Sequence, residues 1–413
     1  MKNNQLPEVR FPEFKDAWEL RKLGEVAQRV TRKNKNLEST RPLTISAQDG
    51  LVDQNDFFKK QIASRDISSY YLVENGEFAY NKSYSNGYPW GAVKRLDLYP
   101  NGVLSTLYIV FKPININSLF LVSYYDTTNW YKEVSKYAAE GARNHGLLNI
   151  AATDFFETEL KAPIQFEEQK KIGSFFKQLD DTITLHQHKL KALKQTKQGF
   201  LQKMFPKDGE KVPELRFPGF TEDWELRKLK EVSTHRGGTA IEKYFNKGGK
   251  YKVISIGSYG LNSNYIDQNI RVDSNEITDA RVVRPGELTM VLNDKTANGT
   301  IIGRSLLINT DNEYVINQRT EIIKPNEDFD SEFAYVTLNS IFREKVKSIV
   351  QGGTQIYVNY SAVEKLSLGF PSLDEQQKIG SFFKQLDNTI ALHQRELEIL
   401  KNTKKAFLQK MFV

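Results

Sequence analysis

At 413 residues the chain exceeds the roughly 250–300 residues over which one hydrophobic core grows, so at least two domains are expected. It has no cysteine, which excludes a disulfide framework and cysteine-ligated zinc, and five scattered histidines argue against any metal site. The excess of 58 Lys+Arg over 51 Asp+Glu leaves a net charge of +7, which suits contact with polyanions through local basic patches. No apolar run of about 18 residues and no apolar N-terminal segment is present, so a soluble, cytoplasmic chain with no membrane association is expected.

In chain order, PEVRFPEFKDAWELRKLGEV (7–26) opens the sequence and leads into a middle of about 27–160 with β-rich runs such as GVLSTLYIVF (102–111). A polar, basic and aromatic stretch there carries Lys82, Tyr84, Asn86, Tyr88, Trp90, Lys94 and Arg95, and a second carries Arg143, Asn144 and His145. Asp154, Glu159 and Lys161 form the nearest approach to a nuclease constellation, against the plainer reading of a strand leading into a helix.

That helix is announced by EQKKIGSFFKQLD (168–180) and continues to FLQKMF, ending at Phe205. Ile172, Phe176, Leu179, Ile183, His186, Leu190, Leu193, Lys197, Phe200 and Met204 alternate at spacings of 4 and 3, the pattern of a coiled-coil seam. His186 is expected to set the register and Lys197 to do the same by snorkelling, as are His393 and Lys404 at the matching positions of the second helix.

The whole pattern then recurs about 207 residues further on. PELRFPGFTEDWELRKLKEV (213–232) repeats the opening, and a second middle of about 233–368 contains KYKVISIG (250–257) and TEIIKP (320–325). A second helix from Leu373 repeats KIGSFFKQLD at 378–387, with a seam of Ile379, Phe383, Leu386, Ile390, His393, Leu397, Leu400, Lys404, Phe407 and Met411. Over the helices about seven in ten positions agree, whereas the middles share little beyond punctuation, NGEFAY and GAVKR matching PGELTM and GRS. Polar clusters recur at Asn293, Asp294, Lys295, Thr296, Asn298 and Arg304, at Asn317, Gln318 and Arg319, and at Thr354, Gln355, Tyr357 and Asn359. Arg and Lys suit guanine edges and phosphates, and Asn and Gln suit adenine. The expected class is α/β (α+β): a first recognition domain (1–165), a central helix (166–206), a second recognition domain (207–372) and a C-terminal helix (373–413). The two helices are expected to pack as an antiparallel coiled coil within a pseudo-twofold repeat.

No phosphate loop, dinucleotide fingerprint, nucleophile elbow, H-E-x-x-H zinc motif or amino-methyltransferase tetrad is present in the sequence. The residues therefore point to a non-catalytic DNA reader, with no catalytic and no metal-binding residues of its own. An autonomous nuclease or methyltransferase, or a coiled-coil protein with modules binding protein or carbohydrate, are the alternatives.

The WELRKL opening, the variable middle, the helix from Glu168 to Asp180 running on to FLQKMF, and the repetition of all three resemble the DNA-specificity subunit of Type I restriction–modification systems. The resemblance covers essentially the whole chain. It implies two target-recognition domains, each reading half of a split, asymmetric site in double-stranded DNA. It also implies helices that set the spacing and dock two modification methyltransferase subunits, with two restriction nuclease/translocase subunits joining the complex. The chain would carry no cofactor, since S-adenosylmethionine, ATP and Mg²⁺ would belong to the partners.

Overall fold

The computed structural model describes residues 6–46, 49–60, 62–64, 66–83, 87–138, 148–207 and 209–413. The chain forms two compact units, one of Met1–Gln187 with Arg395–Val413 and the other of His188–Gln394. Each contains a four-stranded antiparallel sheet with the same strand order. In unit 1 this runs Ala27–Val30, Ile109–Pro113, Phe78–Asn81, Ala92–Arg95. In unit 2 it runs Ser233–Gly237, Thr320–Pro325, Leu288–Val291, Ser305–Leu307. The middles with little shared sequence therefore share a fold. Their main sheets are antiparallel, which makes the class α+β.

The shared punctuation explains the shared sheet. Gly76 and Gly286 adopt φ of +85° and +82°, values costly for any side chain, and each precedes a buried glutamate. Glu77 accepts from Arg32 Nη2 at 2.9 Å and from the Glu74 amide at 2.8 Å. Glu287 accepts from both Arg236 Nη atoms at 2.9 and 2.8 Å and from the Arg284 amide at 2.8 Å. A tight turn and a neutralised buried carboxylate thus fix the start of the central strand in both units.

The WELRKL segments pair as strands with the segments that precede the long helices, Glu19–Lys22 with Glu159–Ala162 and Glu225–Lys228 with Ser367–Phe370. Glu159 and Lys161 lie in such a strand, with Glu159 opposite Lys22, which is the plain reading of that stretch.

The long helices follow, Phe166–Lys203 and Leu373–Met411. At the start of each, Glu168 takes a bidentate contact from Arg10 at 2.6 and 2.7 Å, and Glu375 takes one from Arg216 at 2.7 Å. Gln169 accepts from the Asn117 amide at 2.8 Å and Gln376 from the Asp330 amide at 3.0 Å, so each helix is tied to the residue that caps a shorter helix. A Cβ on Gly173 would lie 2.5 Å from the Phe120 nitrogen, and one on Gly380 would lie 2.7 Å from the Phe333 nitrogen. Only glycine permits this approach.

Within each unit the two helical segments run antiparallel. In unit 1, Phe175 meets Phe407 at 5.1 Å, Asp180 meets Lys404, and His186 Nδ1 lies 3.5 Å from Glu396. In unit 2, Lys197 meets Asp387 and Phe200 meets Phe382 at 5.0 Å. No seam position of either helix is exposed. The helix ends complete the cores: Phe412 packs on Trp18, Phe120 and Phe176 in unit 1, and Phe205 on Trp224, Phe333 and Phe383 in unit 2.

Lys404 does not snorkel. Lys404 Nζ lies 2.8 Å from Asp126 and 2.7 Å from Asp180, while Lys94 Nζ lies 2.9 Å from the other oxygen of Asp126. Burial works against the Asp126 charge, but its two ammonium partners hold it below the usual carboxylate range. Asp180 is pushed upward, by burial first, with Lys404 only partly offsetting it. In unit 2 the positions matching Lys94 and Asp126 are Leu306 and Asn339, and Asn339 bonds the Ser305 backbone instead.

Two substitutions separate these carboxylates. Asp126→Asn leaves Lys94 and Lys404 facing one another at a half-buried site and is expected to cost roughly 3 kcal/mol. Asp180→Asn removes a charge that burial already penalises and is expected to cost about 1 kcal/mol or less. Chemical denaturation of both variants at neutral pH checks the order, and equal losses would contradict it.

Candidate nucleic-acid interface

The polar clusters of the second middle, separated by up to about 60 residues, converge on Leu292. Its amide donates to the Arg319 carbonyl at 3.0 Å and its carbonyl accepts from the Val358 amide at 2.9 Å. Immediately beyond it, Asn293–Asp294 pairs with Ile356–Tyr357, which pairs in turn with Gln351–Gly352. This small antiparallel sheet sets Asn293 opposite Tyr357 and Tyr357 opposite Gln351.

Two exposed loops flank that sheet, Lys295–Asn298 and Gly353–Gln355. The first is braced from below by two buried charges. Asp294, 3% exposed, accepts from the Thr296 amide and hydroxyl at 3.0 Å and from the Ile301 amide at 2.8 Å. Burial opposes its charge, yet the Ile301 and Thr296 amides hold it below the usual carboxylate range. Arg343, 9% exposed, donates to the carbonyls of Gly299, Thr300 and Ile302 at 2.8, 2.9 and 3.0 Å. A loop held this way presents its side chains with little further ordering to be done.

The expected residues divide into presented and committed ones. Lys295 and Arg319 are exposed, and neither cation has a partner among the described residues. Asn298 and Gln355 are likewise exposed, and Tyr357 is 37% exposed. Gln318 is exposed but donates to Glu242 at 2.9 Å, as does Asn317 at 3.0 Å. Arg304 supports the scaffold: it donates to the Thr300 carbonyl at 2.8 Å and to the Ser263 hydroxyl at 3.2 Å. Burial, reinforced by the nearby Arg343, lowers its pKa.

In unit 1 the picture differs from a single loop. Lys94 and Arg95 end a strand, Ala92–Arg95, and both are engaged: Lys94 with Asp126, Arg95 with Asp97 at 2.6 Å and with Ser118 at 2.8 Å. Lys82 is half-buried, its pKa lowered by burial, and its Nζ lies 3.4 Å from the Ile150 carbonyl. Its own carbonyl accepts from the Leu148 amide at 2.9 Å, which joins the borders of the two polar stretches expected in this unit. Trp90 packs against the core. Tyr84, Asn86, Arg143, Asn144 and His145 lie outside the described residues.

The sequence pattern places Asp294 among the reading residues and passes over Arg343, whereas both are buried supports of the loop, because their carbonyl and amide partners carry no side-chain signature. Gln351 was also missed, its register opposite Tyr357 being set only by strand pairing.

The surface of unit 2 thus offers free cations, amides and one aromatic ring on a rigid base, a chemistry suited to phosphates and base edges. The family model for the Type I restriction modification DNA specificity domain matches residues 15–195 and 221–402. A putative type I restriction enzyme MjaX specificity subunit of Methanocaldococcus jannaschii is 22% identical over 98% of this chain and 95% of its own length. The MjaVIII specificity subunit of the same organism is 24% identical over 60% of each chain, so this chain spans less than two thirds of that relative. In fold, the crystal structure of a Type-I restriction-modification system S subunit from M. genitalium matches with a TM-score of 0.63 at 13% identity, covering 99% of both chains. A second solved structure, from work on complex assembly and conformational transition of the type I R-M system, matches with a TM-score of 0.52 at 16% identity, covering 97% of this chain and 98% of that one. Two copies of one frame, each matched by the same family model, make this chain a member of the Type I restriction–modification DNA-specificity subunit family.

Proposed function

We propose that the chain reads a bipartite, asymmetric site in double-stranded DNA, unit 1 one half and unit 2 the other, and that it carries out no chemistry itself. The observation that carries this reading is the identical strand order of two sheets whose exposed loops share almost no residues. One scaffold with two unlike reading surfaces is what two unlike half-sites require. The repeated helices serve as spacer and as docking frame for two methyltransferase subunits and two nuclease/translocase subunits. S-adenosylmethionine, ATP and Mg²⁺ are bound by those partners. Among the described residues no helix is long and apolar enough to cross a membrane, and the proposed place of action is the cytoplasm, with the DNA.

In unit 2 the reading residues are Asn293, Lys295, Asn298, Arg319, Gln355 and Tyr357, with Asp294 and Arg343 as positioning residues. In unit 1 the Lys82 region and the stretch around residues 143–145 occupy the corresponding role. Lys94 and Arg95 act there through the scaffold.

Methylome sequencing of a host expressing this chain with its partners gives both half-sites directly. Replacing residues 233–368 by another module of the family is expected to change one half-site and leave the other. Two altered half-sites, or none, would refute the assignment.

Within the unit 2 loop, Lys295→Ala or Asn298→Ala is expected to lose about 1–3 kcal/mol of discrimination at one base if it reads a base edge. If the residue touches phosphate, binding weakens alike for all sequences and the salt slope falls by about one. Arg343→Met is expected to weaken discrimination through the loop although it touches no DNA. Unchanged affinity, selectivity and salt slope in all three variants would remove this loop from the DNA-contacting surface.

Helix length is the proposed ruler. The helices contain 38 and 39 residues, about 57–59 Å at 1.5 Å per residue. Four residues inserted between Leu190 and Leu193 add about 6 Å. The unread spacer is expected to lengthen by one or two base pairs with both half-sites kept. An unchanged spacer in an active, folded variant would show that the helices do not set it.

A further inference from the structure

The short helix Gln54–Phe58 of unit 1 carries an apolar group that the reading surface above does not use. Phe57 and Phe58 are 48% and 42% exposed, with their rings edge to face at 4.9 Å, and Ile62 nearby is 47% exposed. Water-facing neighbours of this size are a poor choice for a surface with nothing to bind. Lys59 and Lys60 follow directly, both exposed and without a partner among the described residues. Asp56 is the one exposed acid beside them, so the tip from 56 to 60 is net positive.

The tip stands on a fixed base. The strand Gly50–Asp53 pairs with Leu43–Ser46, Asp53 caps the helix by accepting from the Asn55 amide at 2.9 Å, and the Gln54 amide donates to the Pro42 carbonyl at 2.8 Å. Arg41 holds Asp53 at 3.4 Å while its guanidinium lies 4.0 Å over the Tyr99 ring. Lys59, in the left-handed region at φ +53°, stops the helix just after the phenylalanines.

We propose that Phe57 and Phe58 form an aromatic wedge that stacks on or between bases of duplex DNA, with Lys59 and Lys60 on the flanking phosphates. This rests on the reading of unit 1 as a DNA-binding module. Exposed aromatics alone would fit a protein partner equally well. The adjoining free lysines decide for DNA, because lysine is depleted from protein interfaces whereas aromatic wedges flanked by cations are how proteins unstack or grip bases. The wedge adds affinity and a preference for deformable steps, and it reads no base edge.

The four tryptophans leave room for a reporter, since Trp18, Trp130 and Trp224 are buried and Trp90 is half-buried. In the full chain, Phe58→Trp is titrated at low salt with sheared mixed-sequence duplex DNA. Phe166→Trp serves as control, Phe166 being 54% exposed at the start of the first long helix. The emission that Phe58→Trp adds to the parent spectrum is expected to be quenched by duplex and shielded from acrylamide, while that added by Phe166→Trp is not. Phe57→Ala with Phe58→Ala is expected to weaken duplex binding about ten- to hundredfold with the salt slope unchanged. Lys59→Gln with Lys60→Gln is expected to make the slope shallower by about two. All four sites are exposed, so thermal midpoints are expected to stay at the parent value, which checks folding. Added emission in Phe58→Trp that bound duplex leaves unaffected, or parental affinity in the phenylalanine double variant, overturns the wedge while leaving the DNA reading intact. Parental duplex affinity with loss of the partner subunits would identify the patch as a protein interface instead. Failure of the unsubstituted chain to bind duplex would overturn the DNA reading and the wedge together.

Discussion

Both units depend on the close approach of a long helix to the N-terminus of a shorter one at Gly173 and Gly380. With no side chain at these positions, the long helix lies against the backbone at Phe120 and Phe333. The neighbouring Gln169 and Gln376 bond the residues that cap the shorter helices, so the contact is satisfied as well as close. Glu168 and Glu375, buried one residue earlier, draw in the arginines of the RFP segments. A ten-residue segment written twice is therefore part of a clamp: one turn supplies the carboxylate and carboxamide, the next supplies the glycine, and Phe176 or Phe383 closes the core behind it.

The clamp tolerates different electrostatics around it. Unit 1 joins its sheet to its helices through Lys94, Asp126, Lys404 and Asp180, a chain of alternating charges. Unit 2 joins corresponding elements through the neutral Asn339 on the Ser305 backbone and keeps one Lys–Asp pair on the helices. Charges at half-buried positions are stable only when each has its partner, so the two solutions are internally consistent and not interchangeable residue by residue. Trp18 and Trp224 show the same drift, the first donating to Glu168 at 3.2 Å and the second having no partner for its indole nitrogen among the described residues.

A rigid frame leaves variation to the loops. In unit 2 buried Asp294 and Arg343 hold the backbone of an exposed turn without contributing to its outer face. Lys295 and Asn298, whose side chains take no part in that support, are free to change without loss of it. A module built in this way can alter its outer face while keeping the support beneath it.

The repeat and the helical seam are written in the sequence, because a 4–3 spacing of apolar residues and near-identical segments report local periodicity. The punctuation shared by the middles likewise reported a shared fold, since a turn at positive φ favours glycine wherever it occurs. The polar clusters were visible as compositions, but which side chains are presented was decided by tertiary structure. Lys404 reads as one more polar seam residue until Asp126, 278 residues away in sequence, is brought to its ammonium. Arg304 and Lys94 look like Lys295 on paper, and only packing commits the first two to the scaffold and leaves the third in water. The difference lies in long-range contacts, whose partners no local pattern encodes.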